Sequence, residues 1–408
     1  MKKDILVGSN AYWVGYVDDR KVPFHRLVLE KGTTYNSYLL KTEMPTIIDT
    51  VDISFGKEYV ENLKQHIALE EIKYIVINHV EPDHSGALPV LAAKAKDAVI
   101  VATELGVKEL KEMYKLHNRQ FLIVRDGDTL DIGGKTLKFL ETPYLHTEET
   151  MVTYAVEDKT LYPCDIFSTH VATYELFNDL AAEDITGDFE VYYSLIMNPH
   201  KNYVQDMIKK IRQLDIEVIA PSHGYILRAD AKKYIDSYDN MSKTSQSNKK
   251  AAILFSTMTS NTKKLATFIE TALTAKGIEA VLINVKEEKD VEAAKEAVLD
   301  SDILFFGSST RYGDMVGKIE EVLKGLDNMD LTSKVGVAFG SYGWSGEAIE
   351  IINDYLKAST MKVLDSSLII KSTGMDNIQA PIRVKFTVEE EVGRFKETVE
   401  VISDILAG

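Results

Sequence analysis

The chain changes rhythm part-way along. Up to about residue 235, short apolar runs such as residues 46–49, 98–101, 136–140 and 151–155 alternate with turn-rich stretches, and two longer segments, 56–67 and 106–114, place apolar side chains at helical spacing. That half predicts sheet layers covered by helices. Residues 239–250 are polar with no strong apolar period and are expected to form a linker. Beyond them strands and helices alternate regularly, with strands expected at 251–255, 280–285, 303–306, 335–339 and 362–370, and helices at 261–276, 291–298, 318–325, 346–357 and 388–406. This second pattern predicts a parallel sheet with helices on both faces, in which ligands bind at the carboxyl ends of the strands. The expected domains are residues 1–249 and 250–408, and neither contains a repeat or a low-complexity tract.

The densest chemistry follows the apolar run Tyr74-Ile75-Val76-Ile77-Asn78. His79-Val80-Glu81-Pro82-Asp83-His84 puts two imidazoles and two carboxylates into one short turn, a composition suited to a metal site that draws further ligands from elsewhere. His146, Asp165 and His223 each stand after a short β-like run, where loops can converge on one point. Cys164, beside Asp165, reads as a small buried apolar side chain rather than a ligand.

In the second half, Ser256, Thr257, Met258, Thr259, Ser260, Asn261 and Thr262 lie between the first strand and the first helix. Their hydroxyls and the unpaired N–H groups of a helix start make a cradle for a phosphate dianion. The loop lacks both the Gly-Lys of a Walker motif and the glycine pattern of a dinucleotide fold, so a monophosphate such as that of FMN fits better. Two further strand-end loops carry Ser308, Ser309, Thr310, Arg311, Tyr312 and Gly313, and then Ser341, Tyr342, Gly343, Trp344 and Gly346. Glycines there let the backbone approach a flat ring, and the aromatic side chains can stack on it.

Composition narrows the classes. With 45% apolar and 27% charged residues the chain is globular, and a formal net charge of −16 disfavours nonspecific nucleic-acid binding and anionic membrane surfaces. No apolar run is long enough to span a bilayer, and the first residues lack the apolar stretch of a signal peptide, so a cytoplasmic location is expected. The single cysteine agrees with a reducing compartment and leaves no four-cysteine rubredoxin site in this sequence.

The three loops of the second half resemble those of a flavodoxin, over residues 251–408. The first half resembles the metallo-β-lactamase superfamily, with Glu81 where its hydrolases usually carry a histidine. The combination resembles the flavodiiron proteins, also called A-type flavoproteins, and extends to residues 32–39, Tyr192-Tyr193 and residues 341–346. The resemblance implies an α/β architecture: a metallo-β-lactamase-like αββα domain followed by a flavodoxin-like doubly wound parallel sheet. It implies one iron on His79, Glu81 and His146, a second on Asp83, His84 and His223, and Asp165 bridging them. The three carboxylates favour iron over zinc.

The implied activity is reduction of O2 to water, of NO to nitrous oxide, or both, with FMN receiving electrons from a separate rubredoxin or a reduced deazaflavin. The resemblance also places His25 and His170 near the metals as candidates for orienting substrate or donating protons, makes Tyr193 a further catalytic candidate, and implies a head-to-tail homodimer or a dimer of dimers. One departure stands out: after His146 the chain reads Thr147-Glu148-Glu149-Thr150-Met151, where many members have Trp-Pro-Asp-Ser-Met. Two other readings compete. A metal hydrolase with an accessory flavodoxin-like domain would hold zinc and cleave esters or lactams; a plain electron carrier would keep its activity without metals.

Overall fold

The computed structural model describes residues 5–21, 23–24, 27–243, 249–385 and 388–407. The chain divides into two compact units, Met1–Lys243 and Thr244–Gly408.

The first unit is built on two sheets. In spatial order, one contains Leu6–Gly8, Ala11–Trp13, Tyr38–Leu40, Thr46–Ile48, Tyr74–Val76, Val99–Ala102 and Phe121–Ile123. The other contains Thr129–Asp131, Thr136–Glu141, Met151–Ala155, Thr160–Tyr162 and Val218–Ile219. Successive side chains on a strand point to opposite faces, so Ile48, Val76 and Val101 pack toward Leu137, Phe139, Met151 and Tyr162 between the sheets. Their neighbours Ile47, Ile75 and Ile100 turn the other way, onto Tyr59, Leu63, Leu91 and Leu110 of the covering helices. Val152, Leu161 and Ile219 do the same on the far side against Phe189, Met207, Ile208 and Tyr238. Burial on both faces is why these strands read as short continuous apolar runs rather than alternating ones.

The second unit is an all-parallel sheet in the spatial order Glu279–Asn284, Lys250–Ser256, Ile303–Ser309, Val335–Tyr342, with Lys362–Val363 and Ile382–Lys385 both pairing with Val335–Tyr342. The order of the first four strands, second-first-third-fourth, is the flavodoxin-like winding, which opens a crevice at the carboxyl ends of the first and third strands.

Two expectations need correction. The stretch 362–370 is not one strand: it pairs only over Lys362–Val363, then Asp365 caps the helix Ser366–Thr373 by accepting the Leu368 N–H. The remaining strand is Ile382–Lys385. The expected linker also begins too early, because the helix Ala231–Ser242 buries Tyr238 and Ser242 and carries the chain through residues 239–242; residues 244–248 lie outside the described residues. Among the described residues no helix is long and apolar enough to cross a membrane.

Candidate functional site

Residues from both sheets of the first unit meet at one end. His79 and Glu81 follow the strand Tyr74–Val76, and Asp83 and His84 lie in the short helix Pro82–Ser85, started by proline at its first position. Below them Asp49 accepts the Asn78 N–H at 2.7 Å and its side-chain amide at 2.9 Å. His146, Asp165 and His223 arrive from loops after Thr136–Glu141, Thr160–Tyr162 and Val218–Ile219. The His223 loop is pinned to the segment that begins at Gly32: Asn36 donates to Pro221 O at 2.8 Å, Tyr38 to the same oxygen at 2.7 Å, and His223 Nδ1 to Thr34 O at 2.7 Å.

The polar atoms sort into two sets. In one, Glu81 Oε2 lies 3.1 Å from His79 Nε2 and 3.2 Å from His146 Nε2, while Asp165 Oδ2 lies 3.6 and 3.4 Å from the same two nitrogens. In the other, Asp83 Oδ2 lies 3.3 Å from His84 Nε2 and 3.2 Å from His223 Nε2, while Asp165 Oδ1 lies 3.2 and 3.4 Å from them. One oxygen of Asp165 therefore faces each set. Ligand atoms about 2.1 Å from a shared ion and roughly 90–115° apart are separated by about 3.0–3.5 Å, so both spacings fit a cation at the middle of each set.

Charge and hydrogen bonding make the same point. Asp83 Oδ1 and Oδ2, Asp165 Oδ2 and His84 Nε2 are buried without a hydrogen-bond partner, an arrangement that is costly unless something else satisfies them. Burial alone would depress the imidazoles, but Asp165 and Glu81 push His146 up to about 9, and Asp165 and Asp83 push His223 up to about 10. Burial works against Asp165 ionising, and the facing histidines overcome it and hold its carboxyl well below the usual range. In the metal-free protein, protons on imidazoles supply the positive charge that these carboxylates need. Metal uptake should therefore release protons at pH 7 from His79, which its carboxylate neighbours also hold well above the ordinary value, as well as from His146 and His223, and apparent affinity should keep rising as pH climbs toward 9. Calorimetric titration with Fe(II) in buffers of different ionisation enthalpy measures both; uptake independent of pH between 6 and 9 would contradict it.

Of the remaining candidates, His170 sits beside the cluster, with its ring 4.9 Å from that of His223 and its Nδ1 2.9 Å from Thr33 Oγ1. His25 lies outside the described residues. Tyr193 is not brought to the cluster: its ring packs edge-on against Tyr238 at 4.9 Å, and it makes no hydrogen bond to any of the seven side chains. Its neighbour Tyr192 is the one that faces inward and donates to Asp165 Oδ1 at 2.8 Å. The physical reason is helix phase, because the helix Thr186–Tyr192 gives way to the wider turn Tyr193–Met197 at that point. Glu149 was also missed as a functional residue: it is buried, with Oε1 2.6 Å from His79 Nδ1, and the His79 imidazole outweighs burial and holds its carboxyl down at about 2.

In the second unit, the loop at residues 256–262 opens the helix Asn261–Ala275. Not all its hydroxyls are available. Ser256 donates to Val285 O, and Thr262 Oγ1 lies 2.9 Å from Ser309 Oγ and 2.8 Å from Ser341 Oγ, tying three strand-end loops together. Thr257 Oγ1 and Thr310 Oγ1 are buried without a partner, as donors waiting for an anion would be. Tyr312 and Trp344 are almost fully exposed, at 93% and 92%, and a Cβ on Gly313 or Gly343 would meet nothing within 4 Å. Two exposed rings beside open backbone, one with the Arg311 guanidinium 4.9 Å over the Tyr312 ring, leave room for a flat ligand.

Residues 33–224 match the ODP family beta lactamase model and residues 253–390 the flavodoxin model. Over 369 residues the chain is 33% identical to the nitric oxide reductase of Moorella thermoacetica, covering 89% of this chain and 92% of that one. The chain belongs to the flavodiiron protein family. The solved flavodiiron protein of Giardia intestinalis is 28% identical, with a TM-score of 0.59 over 99% of this chain and 97% of that one. The rubredoxin oxygen:oxidoreductase of Desulfovibrio gigas is 25% identical, with a TM-score of 0.58 over 99% and 98%. This flavodiiron protein is accordingly an oxidoreductase with a flavodoxin domain, and the hydrolase reading falls away.

Proposed function

We propose that this flavodiiron protein takes electrons from a reduced partner through FMN to a pair of irons and reduces O2 to water, NO to nitrous oxide, or both. The observation that carries the reading is Asp165, whose two oxygens each face a separate set of two imidazoles and one carboxylate. His79, Glu81 and His146 would hold one iron, Asp83, His84 and His223 the other, and Asp165 both. When bound, the irons supply open coordination positions and electrons for a small gas, and FMN supplies a carrier between donor and metals.

The protein's own groups account for the rest. Tyr192 fixes Asp165 by hydrogen bonding and keeps its proton, because burial and the Asp165 charge push its pKa well above the ordinary value. His170 and Tyr192 line a cavity of about 220 Å³ with Leu29, Lys31, Asp188 and Val191, which offers an approach for substrate and protons. Thr257, Thr259, Ser260 and the first N–H groups of the helix Asn261–Ala275 would hold the FMN phosphate, with Tyr312 and Trp344 against the ring.

The names nitric oxide reductase and rubredoxin oxygen:oxidoreductase among its kin support both substrates, and the second supports a separate rubredoxin as donor; a reduced deazaflavin is the alternative. A cytoplasmic homodimer, arranged head-to-tail so that one copy's flavin faces the other's irons, completes the reading.

Anaerobic metal and flavin analysis followed by turnover of both gases with chemically reduced protein tests it. About two irons and one FMN per chain are expected. Stoichiometric zinc in the active form would overturn the di-iron reading. Riboflavin binding as tightly as FMN would overturn the phosphate loop.

A further inference from the structure

Glu149 belongs to neither set of metal-facing residues, yet it is the closest polar contact His79 makes. Its Oε1 stands 2.6 Å from His79 Nδ1 and also accepts the Val80 N–H at 3.0 Å. Thr147 Oγ1 is 3.2 Å from the same imidazole nitrogen, and Thr103 Oγ1 donates to the Glu149 backbone carbonyl at 2.8 Å. Both Glu149 and Thr147 fall in the stretch where this sequence departs from Trp-Pro-Asp-Ser.

An ionised carboxylate only accepts, so the His79 proton resides on Nδ1. Nε2 is then the nitrogen turned toward Glu81 Oε2 and Asp165 Oδ2, and it is the one that would give up its proton to take a metal ion. His223, in the other set, is backed by a neutral group instead, the Thr34 carbonyl at 2.7 Å. A carboxylate draws an N–H more strongly than a carbonyl does, and an imidazole so polarised is the better donor through its second nitrogen.

We propose that Glu149 is a positioning residue: it fixes the tautomer and ring orientation of His79 and selectively strengthens metal binding at the His79, Glu81 and His146 position. The inference rests on the di-iron reading and deepens it, because it makes the two metal positions unequal through a residue that touches neither metal.

The test is anaerobic titration of the full, metal-free chain with Co(II), followed by visible absorption, with the two positions assigned through His146→Ala and His223→Ala. Glu149→Ala should weaken Co(II) binding at the His146-dependent position by roughly 10- to 100-fold and leave the His223-dependent position within about threefold. Glu149→Gln keeps an acceptor for both N–H groups without the charge, so it should fall between Glu149→Ala and wild type. Glu149→Asp should recover part of the loss. Equal weakening of both positions would assign Glu149 to packing alone and overturn the proposal, as would Glu149→Ala binding at both positions like wild type. Wild-type protein that takes up fewer than two Co(II) would overturn the di-iron reading itself and the proposal with it.

Discussion

Replacing Asp165 with alanine is expected to empty the paired metal site while leaving the flavin reducible. Each Asp165 oxygen faces one set of imidazoles, so the substitution removes a ligand from both positions and the negative charge between them. It also frees the Tyr192 hydroxyl that now donates to Oδ1. Iron content should fall below half, and gas reduction by roughly 100-fold or more, since a bridging ligand both sets metal separation and offsets metal charge. FMN content and its reduction by dithionite should be unchanged. Mixing this variant with a flavin-deficient, iron-replete variant should restore turnover if heterodimers form, through the good flavin of one chain and the good irons of the other. Full activity in Asp165→Ala would refute the mechanism.

Gly224→Ala is expected to be strongly destabilising. Gly224 has φ +69°, and a Cβ there would lie 1.9 Å from Thr169 Oγ1 and 2.4 Å from the Thr169 carbonyl oxygen. A threonine side chain can rotate away, but the carbonyl is backbone and cannot. Left-handed strain adds to the clash, so a loss of about 3 kcal/mol is expected. The Gly224 N–H donates to Thr34 Oγ1 at 2.7 Å and the adjacent His223 to Thr34 O, so the shift should carry His223 out of place. Thermal unfolding of the metal-free protein separates this from simple metal loss: the variant should melt well below wild type even without metal. An unchanged melting temperature would show that the loop yields at no cost.

Much of this was legible in the sequence because the chemistry sits at the ends of apolar runs. His79, Glu81, Asp83 and His84 follow a strand that is buried on both faces, and such a strand announces itself by composition alone. His146, Asp165 and His223 were found the same way. What stayed hidden depended on phase or on partners distant in sequence. Tyr192 and Tyr193 are adjacent and chemically alike, and only the register of their helix decides which one faces Asp165. Thr262 read as a phosphate donor, and its hydroxyl also lies within hydrogen-bond distance of Ser309 and Ser341, contacts that no local pattern announces. Leu368-Ile369-Ile370 satisfies strand and helix patterns equally, and the cap at Asp365 tips it to helix. Glu149 drew notice only as a departure from a family pattern, since its role comes from a histidine far back in the chain.

The seven side chains of the cluster come from both sheets of the first unit: four follow a strand of one sheet and three follow strands of the other. Ions held there would act as cross-links, stitching the open end of the sandwich across long stretches of chain, in a sequence whose lone cysteine can form no internal disulfide. Iron supply would then govern how long each molecule survives proteases as well as how fast it turns over, because a chain without its ions is a sandwich left unfastened along one edge.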